Sequence, residues 1–434
     1  MLDSPTRMRA AITLAALWSF PAIAELPEHP TVARLGPTAV EARLNDDPDT
    51  LPGNPGFGAA VAIRNGIAFV GIPTAFPTAH VGVYGQAATG WVRTATLSVS
   101  DAVVASLRSN GFGSALTFRD GLAVIGSYSF VHVFRRGNGV WTDVQQFAVP
   151  PSPAFREPVS SMHYENGILA IGLNSAADGS LVQVYEVAPT GKFVKRATLK
   201  APGGSPGFGT TVGVAGNTLV VGGADHAVYV FRRKSDGAWV RTQKLVGADS
   251  SPVASFGAAV AIDQGLIIVG APDHDCVDGS GYLFCGVNVD ANPDGTGAGG
   301  AVYGFVPFNG QYTQVFKLRP GAQAHANYWK FGRRIAMMGK YVVIDAAEQA
   351  HVRDPDISPG FISGLAFTYA RDGTTLTPQG LARGFVSRSY ESDSIGLANN
   401  WLLVGSTLDG GIGCIALGYC AGEALFFDLN RFAQ

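Results

Sequence analysis

The sequence is poor in charge. Charged residues make up 15% of its 434 positions, against roughly 25% in an ordinary globular chain. Lys+Arg 31 against Asp+Glu 33 leave a formal net charge of −2. No Lys/Arg run stands out, so the basic face that a phosphate backbone requires is missing and nucleic acid is excluded as a partner. No amphipathic basic stretch points to a membrane surface. Beyond the N-terminus no apolar run approaches the roughly 20 residues of a spanning helix. The sequence has no G-x-S-x-G, no HExxH and no phosphate loop, which removes the commonest hydrolase and nucleotide chemistries. Cysteine is scarce, at four residues. Glycine is abundant: Gly 56 is nearly double the usual share and implies many tight turns and few long helices. Hydrophobic residues at 47% suffice for a large core.

The N-terminus reads as a targeting segment. Arg7 and Arg9 form a short positive region, Ala10 to Phe20 is predominantly apolar, and Ala22-Ile23-Ala24 is a small-x-small cleavage site before Glu25. That pattern predicts a signal peptide over residues 1–24 and a secreted or periplasmic mature chain, 25–434, as one domain. Export gives the cysteines meaning. Cys276, Cys285, Cys414 and Cys420 form two close pairs, and an oxidising compartment favours local bridges 276–285 and 414–420. Four cysteines allow three pairings. A zinc site is the rival reading, but neither pair has the two-residue gap usual for zinc.

One unit recurs. Phe57-Gly58, a short alternating run, Asn65-Gly66 and a second run ending in Val70-Gly71 return at Phe112-Gly113, Phe208-Gly209, Phe256-Gly257 and Phe331-Gly332. Degenerate copies begin near Pro158 and Glu391, making seven, with starts near 57, 112, 158, 208, 256, 331 and 391. Asn-Gly and Asp-Gly between alternating runs are strong hairpin signals. A third, aromatic run follows in each copy, such as Val228-Tyr-Val-Phe231, and a fourth opens on a bulky residue: Trp91, Trp141, Phe193, Trp239, Tyr312. The tryptophans at this repeat position read as core between units. Four antiparallel strands in about 50 residues are a propeller blade, which buries its faces only against its neighbours. The expected fold is therefore all-β, a seven-bladed β-propeller with four antiparallel strands per blade. Six or eight blades, or an open solenoid, are the alternatives. The last copy lacks a fourth strand, and residues 39–44 match the fourth strands at 92–97 and 194–199. This N-terminal strand should close the last blade and remove an open sheet edge, which argues against the solenoid.

Ser255-Phe-Gly-Ala-Ala-Val-Ala-Ile-Asp-Gln-Gly-Leu-Ile-Ile-Val-Gly-Ala-Pro272 resembles the FG-GAP repeat of integrin α-subunit heads and their exported bacterial relatives. The likeness runs from residue 39 to 427. It implies adhesion or ligand binding, often with calcium held in blade loops.

Strand alternation puts the first-to-second and third-to-fourth turns on one face, all short. The second-to-third and inter-blade connections share the other. There the second-to-third connection is tiny in blades 2 and 4 but long in blade 5 (273–300), blade 6 (347–364) and blade 7 (407–423). Long connections in a compact fold are commonly functional. The expected function is an exported, non-enzymatic and monomeric binding module, using this face of blades 5–7 to bind a glycan or an extracellular protein. A hydrolase or lyase at the same place is the alternative. Candidate ligand contacts are Asp273, His274, Asp275, Asp278, Trp329, His351, Asp354 and Asp356; for the two histidines, solvent exposure is the competing reading. Asp290-Ala-Asn292-Pro-Asp294-Gly295 matches the opening of a calcium loop, whose alternate oxygens converge around a Gly-permitted turn. Asp290, Asn292 and Asp294 are the candidate ligands, though position twelve is Ala301 rather than a carboxylate, and a plain polar turn uses the same residues.

Intact mass of the mature protein under denaturing, non-reducing conditions should show no free thiol, and peptide mapping should join 276 to 285 and 414 to 420. A bridge between the two pairs would reject this pairing.

Overall fold

The computed structural model describes residues 24–25, 40–44, 56–74, 79–100, 109–150, 159–175, 179–205, 207–250, 254–274, 299–319, 327–349, 362–387, 394–407 and 422–433. The strands form seven antiparallel sheets in a ring, so the chain is a seven-bladed β-propeller. From the channel outwards, blade 1 holds Val61–Arg64, Ile67–Ile72, His80–Ala87 and Gly90–Leu97. Blade 2 holds Ala115–Arg119, Leu122–Gly126, Phe130–Gly137 and Val140–Ala148. Blade 3 follows with Val159–Glu165, Ile168–Ser175, Gly179–Val187 and Phe193–Lys200. Blade 4 holds Thr211–Ala215, Thr218–Ala224, Ala227–Arg233 and Trp239–Leu245. Blade 5 consists of Ala259–Asp263, Leu266–Ala271, Ala301–Phe308 and Gln311–Leu318, with Ala24–Glu25 lying parallel to its outer strand. Blade 6 contains Ile335–Met338, Tyr341–Gln349, Ile362–Asp372 and Thr375–Ser387. Blade 7 has Ser394–Ala398, Trp401–Ser406 and Glu423–Asp428, and the N-terminal strand Val40–Leu44 completes it, pairing Leu44 with Ala424 and Val40 with Phe427. The ring is thus closed by chain ends hydrogen-bonded in one sheet.

Asn65, Asp120, Asn166, Gln264 and Asn399 take positive φ in the inner hairpin turns, the backbone that matches strand twist. The core is divided among the blade boundaries. Seven apolar clusters each join two neighbouring blades, and the one holding Phe57, Val70, Leu403 and Phe426 joins blade 7 to blade 1. The repeat-position tryptophans sit in these boundaries: Trp91 is buried and stacks on Phe426 at 4.3 Å, and Trp141 meets Phe69 edge-on at 5.2 Å.

The two glycines of the repeat meet each other across these boundaries. A Cβ on Gly71, Gly172, Gly222, Gly270 or Gly405, each in a second strand, would lie 1.7–2.3 Å from the carbonyl oxygen of the Phe-Gly glycine of the next blade. The partners are Gly113, Gly209, Gly257, Gly332 and Gly58 in turn. Blade 3 lacks the Phe-Gly pair, and there the second-strand Gly126 faces Val159 with an ordinary 3.4 Å to spare. Blade 6 has Asp345 in place of the second-strand glycine.

Side chains then satisfy the neighbouring strand edge. His163 accepts from Val214 N–H at 2.9 Å, Thr211 from Val260 N–H at 3.2 Å, and Asp263 from Gly339 N–H at 2.9 Å, each reaching from one blade's inner strand to the next blade. On the outer strands Gln145 brackets the backbone of Phe193, and Gln243 that of Tyr312, through both amide atoms. Each of these glutamines lies four residues after a repeat tryptophan.

Gly270→Ala should lower stability by about 3 kcal/mol, since its Cβ meets backbone rather than a flexible side chain. Gly126→Ala should be near neutral. Chemical denaturation of both variants checks this; equal losses would disprove the interlock.

Candidate functional site

The loop face is built on pinned strand ends. In blade 5 the connection 272–300 leaves and returns at one point: His274 carbonyl accepts from Gly300 N–H at 2.8 Å, and Gly299 carbonyl accepts from Phe331 N–H at 3.2 Å. Asp273 is held by Ser255 Oγ and by the Lys330 ammonium. Lys330 follows Trp329, which lies in the short strand Asn327–Trp329. That strand pairs with Ala347–Gln349 and adds a fifth strand to the blade 6 sheet. The root of the blade 5 loop and the Trp329 strand are therefore brought together.

Behind them lies a polar cluster at the blade 4–5 boundary. Asp249 accepts from Tyr303 OH at 2.9 Å and from Lys317 Nζ at 2.5 Å, and His274 Nε2 stands 3.7 Å from its carboxylate. Burial alone would raise the Asp249 carboxyl, but the Lys317 and Tyr303 hydrogen bonds outweigh it and hold it below the usual range. His274 is not in solvent: it is buried against Tyr303, and burial, then the Lys317 and Arg319 charges, drive its imidazole down to about 4. Burial likewise pushes the Tyr303 phenol well up. These groups anchor the base of the long connection.

Asp275, Asp278, His351, Asp354 and Asp356 lie outside the described residues, as do Asp290, Asn292 and Asp294 and the four cysteines. Among the described residues no group of three His, Cys, Asp or Glu could hold a metal ion. No described helix is long and apolar enough to cross a membrane.

A second feature was not read from the sequence. The inner strands ring a central channel of about 400 Å³. Its mouth on the short-turn face carries Arg64, Arg119 and, at the rim, Glu165 and Asp263; each precedes its hairpin turn at the same repeat position. That shared register is the signal that finds them, because short alternating strands otherwise read as core. His163 lines the same channel, and burial, aided by the Arg119 charge, drives its imidazole down to about 4.

The FG-GAP repeat family matches residues 239–284, from the outer strand of blade 4 through the second strand of blade 5. No curated protein matches the chain. Among solved structures, a chain from the crystal structure of the mitotic checkpoint complex has a TM-score of 0.50 at 12% identity, covering 94% of this chain and 99% of that one. The computationally designed Ika8 protein (TM-score 0.43, 14% identity) covers 87% of this chain and 98% of its own. A protein from Lactobacillus plantarum (TM-score 0.46, 15% identity) covers 75% and 84%. The molecule is a seven-bladed β-propeller. Its repeat and its ring fit an FG-GAP propeller protein.

His163 must stay neutral to accept from Val214, so the folded chain binds fewer protons than the unfolded one between about 4 and the ordinary value of 6.5. Stability should therefore rise with pH across that window and fall on acidification, by roughly 1–3 kcal/mol. Denaturation of the unmodified protein and of His163→Gln at pH 7 and pH 4.5 checks this. The variant should lose less on acidification, and parallel losses would refute the assignment.

Proposed function

We propose that this protein is an exported binding module that recognises a glycan or an extracellular protein with the loop face of blades 5–7. The observation that carries the reading is the distribution of connections on a rigid ring. In blade 4 only Asp225 and His226 join the second strand to the third, whereas in blades 5, 6 and 7 the gaps are 272–300, 350–361 and 407–422. The three longest second-to-third connections thus fall in adjacent blades, and the Trp329 strand extends the sheet between two of them. Rigid scaffolds bearing variable loops are the usual arrangement of recognition surfaces. A general binding or interaction role also accords with the FG-GAP repeat. Among the described candidates, Asp273 is committed to Ser255 and Lys330, and His274 is buried, which favours scaffolding over acid–base chemistry here.

The blade 5 connection is also the proposed calcium site, through Asp290, Asn292 and Asp294 with further oxygens from Asp275 or Asp278. Three side-chain oxygens in register imply a weak site, of order 10⁻⁴ to 10⁻³ M, whose occupancy would stabilise the fold by mass action.

Replacing 275–298 with the two-residue connection of blade 4 should leave a folded propeller. It should abolish binding on an immobilised panel of glycans and extracellular proteins, and remove the melting shift between calcium and chelator. Retained binding would exclude this loop; a surviving calcium shift would put the ion elsewhere.

A further inference from the structure

We propose that the central channel is a second binding site, taking a small oxyanion at its short-turn mouth between Arg64 and Arg119. The electrostatic case rests on what lines the cavity. Arg64 and Arg119 line it at the short-turn mouth and Arg333 and Arg334 towards its other end, with His163 neutral between, while none of its lining residues is Asp or Glu. A chain with a formal net charge of −2 thus turns a cationic wall inward. A narrow cavity of one sign between low-dielectric walls concentrates counter-charges.

Two carboxylates near the mouth, Glu165 and Asp263, are already engaged, and Asp120, which attracts Arg64 through space, forms no ion pair with it among the described residues. Glu165 pairs with Arg119 Nη2 at 2.9 Å. Asp263 pairs with Arg371 at 3.4 Å and accepts from Gly339 N–H. Among the described residues Arg64 has no carboxylate in ion-pair contact: its hydrogen bond goes to the Met338 sulfur at 3.6 Å, a weak acceptor. The Arg119 Nε–H is buried without a hydrogen-bond acceptor. Blades 1 and 2 therefore present neighbouring guanidiniums at one register with donors to spare. Burial, then the Arg119 charge, hold the Arg64 guanidinium below its ordinary value, with Asp120 and Glu165 opposing. The two carboxylates offset only part of that cost, so an anion bound beside Arg64 would stabilise its charge.

The donor chemistry selects the guest. Guanidinium forks match the planar oxygen pair of a carboxylate or the oxygens of a phosphate, and bind both more strongly than neutral acceptors. A volume of about 400 Å³ accommodates a small molecule. The site lies on the face opposite the long connections, so it is independent of the recognition surface proposed above.

The full mature chain, titrated at low ionic strength with inorganic phosphate and separately with succinate, provides the test by calorimetry and thermal melting. At least one anion should bind saturably, raise the melting temperature and weaken as sodium chloride increases. Binding of phosphate alone would assign a phosphoryl guest, and of succinate alone a carboxylate one. Arg64→Gln should weaken binding roughly tenfold or more while leaving the unliganded melting temperature unchanged or higher. Arg64→Lys, which keeps charge but loses the fork, should fall between. Arg119→Gln breaks the pair with Glu165, so its affinity is measured below its own melting transition and should fall as well. No saturable binding of either anion overturns the proposal, as does full affinity in Arg64→Gln or in folded Arg119→Gln. An Arg64→Gln variant that melts lower yet binds normally would make Arg64 a structural residue.

Discussion

At five of the seven boundaries consecutive blades approach backbone to backbone at one point, and the ring's packing is arranged around it. The second-strand glycine of one blade lies against the carbonyl of the Phe-Gly glycine in the next, where a single methyl group would overlap the oxygen. This contact limits how closely the sheets stack at those boundaries. It also explains why the repeat keeps two glycines and not one. Where blade 3 loses the second member, Val159 takes its place and the contact relaxes to ordinary packing. The Phe preceding each of these glycines is buried in the boundary cluster, on the third-strand aromatics in blades 4–6.

Close stacking creates a second problem, the unpaired inner edges facing the channel. Side chains of the preceding blade answer it in three consecutive boundaries, through His163, Thr211 and Asp263. The residue type differs each time while the geometry repeats. A histidine used this way must remain neutral, and desolvation, aided by the Arg119 charge, keeps it so. The same device on the outer strands uses Gln145 and Gln243, so both rims of the blades are tied at some boundaries.

A ring held this firmly leaves its two faces free to differ. On the loop face the connection of blade 5 stands on strand ends that are themselves fastened, by Asp249, Lys317 and Tyr303 behind and by Asp273 with Lys330 in front. On the turn face the connections are short, and the residue before each inner hairpin turn varies in charge. Those residues, Arg64, Arg119, Glu165 and Asp263 among them, meet around one opening although the chain separates them widely. Loop length thus diversifies one face and side-chain charge the other.

The blades, their number and the closing strand were legible in the sequence, because each rests on local signals. Phe-Gly, Asn-Gly and alternating runs specify hairpins without reference to anything distant, and the match of 39–44 to other outer strands exposed the missing edge. The reading of Trp91 and Trp141 as boundary core followed from their repeat position alone. The placement of His274 did not follow, because its burial depends on Tyr303 and on Asp249 from another loop. The charged channel mouth was likewise invisible in one dimension: Arg64 and Arg119 lie in separate repeats, and each looks like an ordinary strand-end residue. Local periodicity determines which strands form and where each turns. Only the closed ring decides which side chains face each other across it, since that depends on how seven separate units converge on one axis.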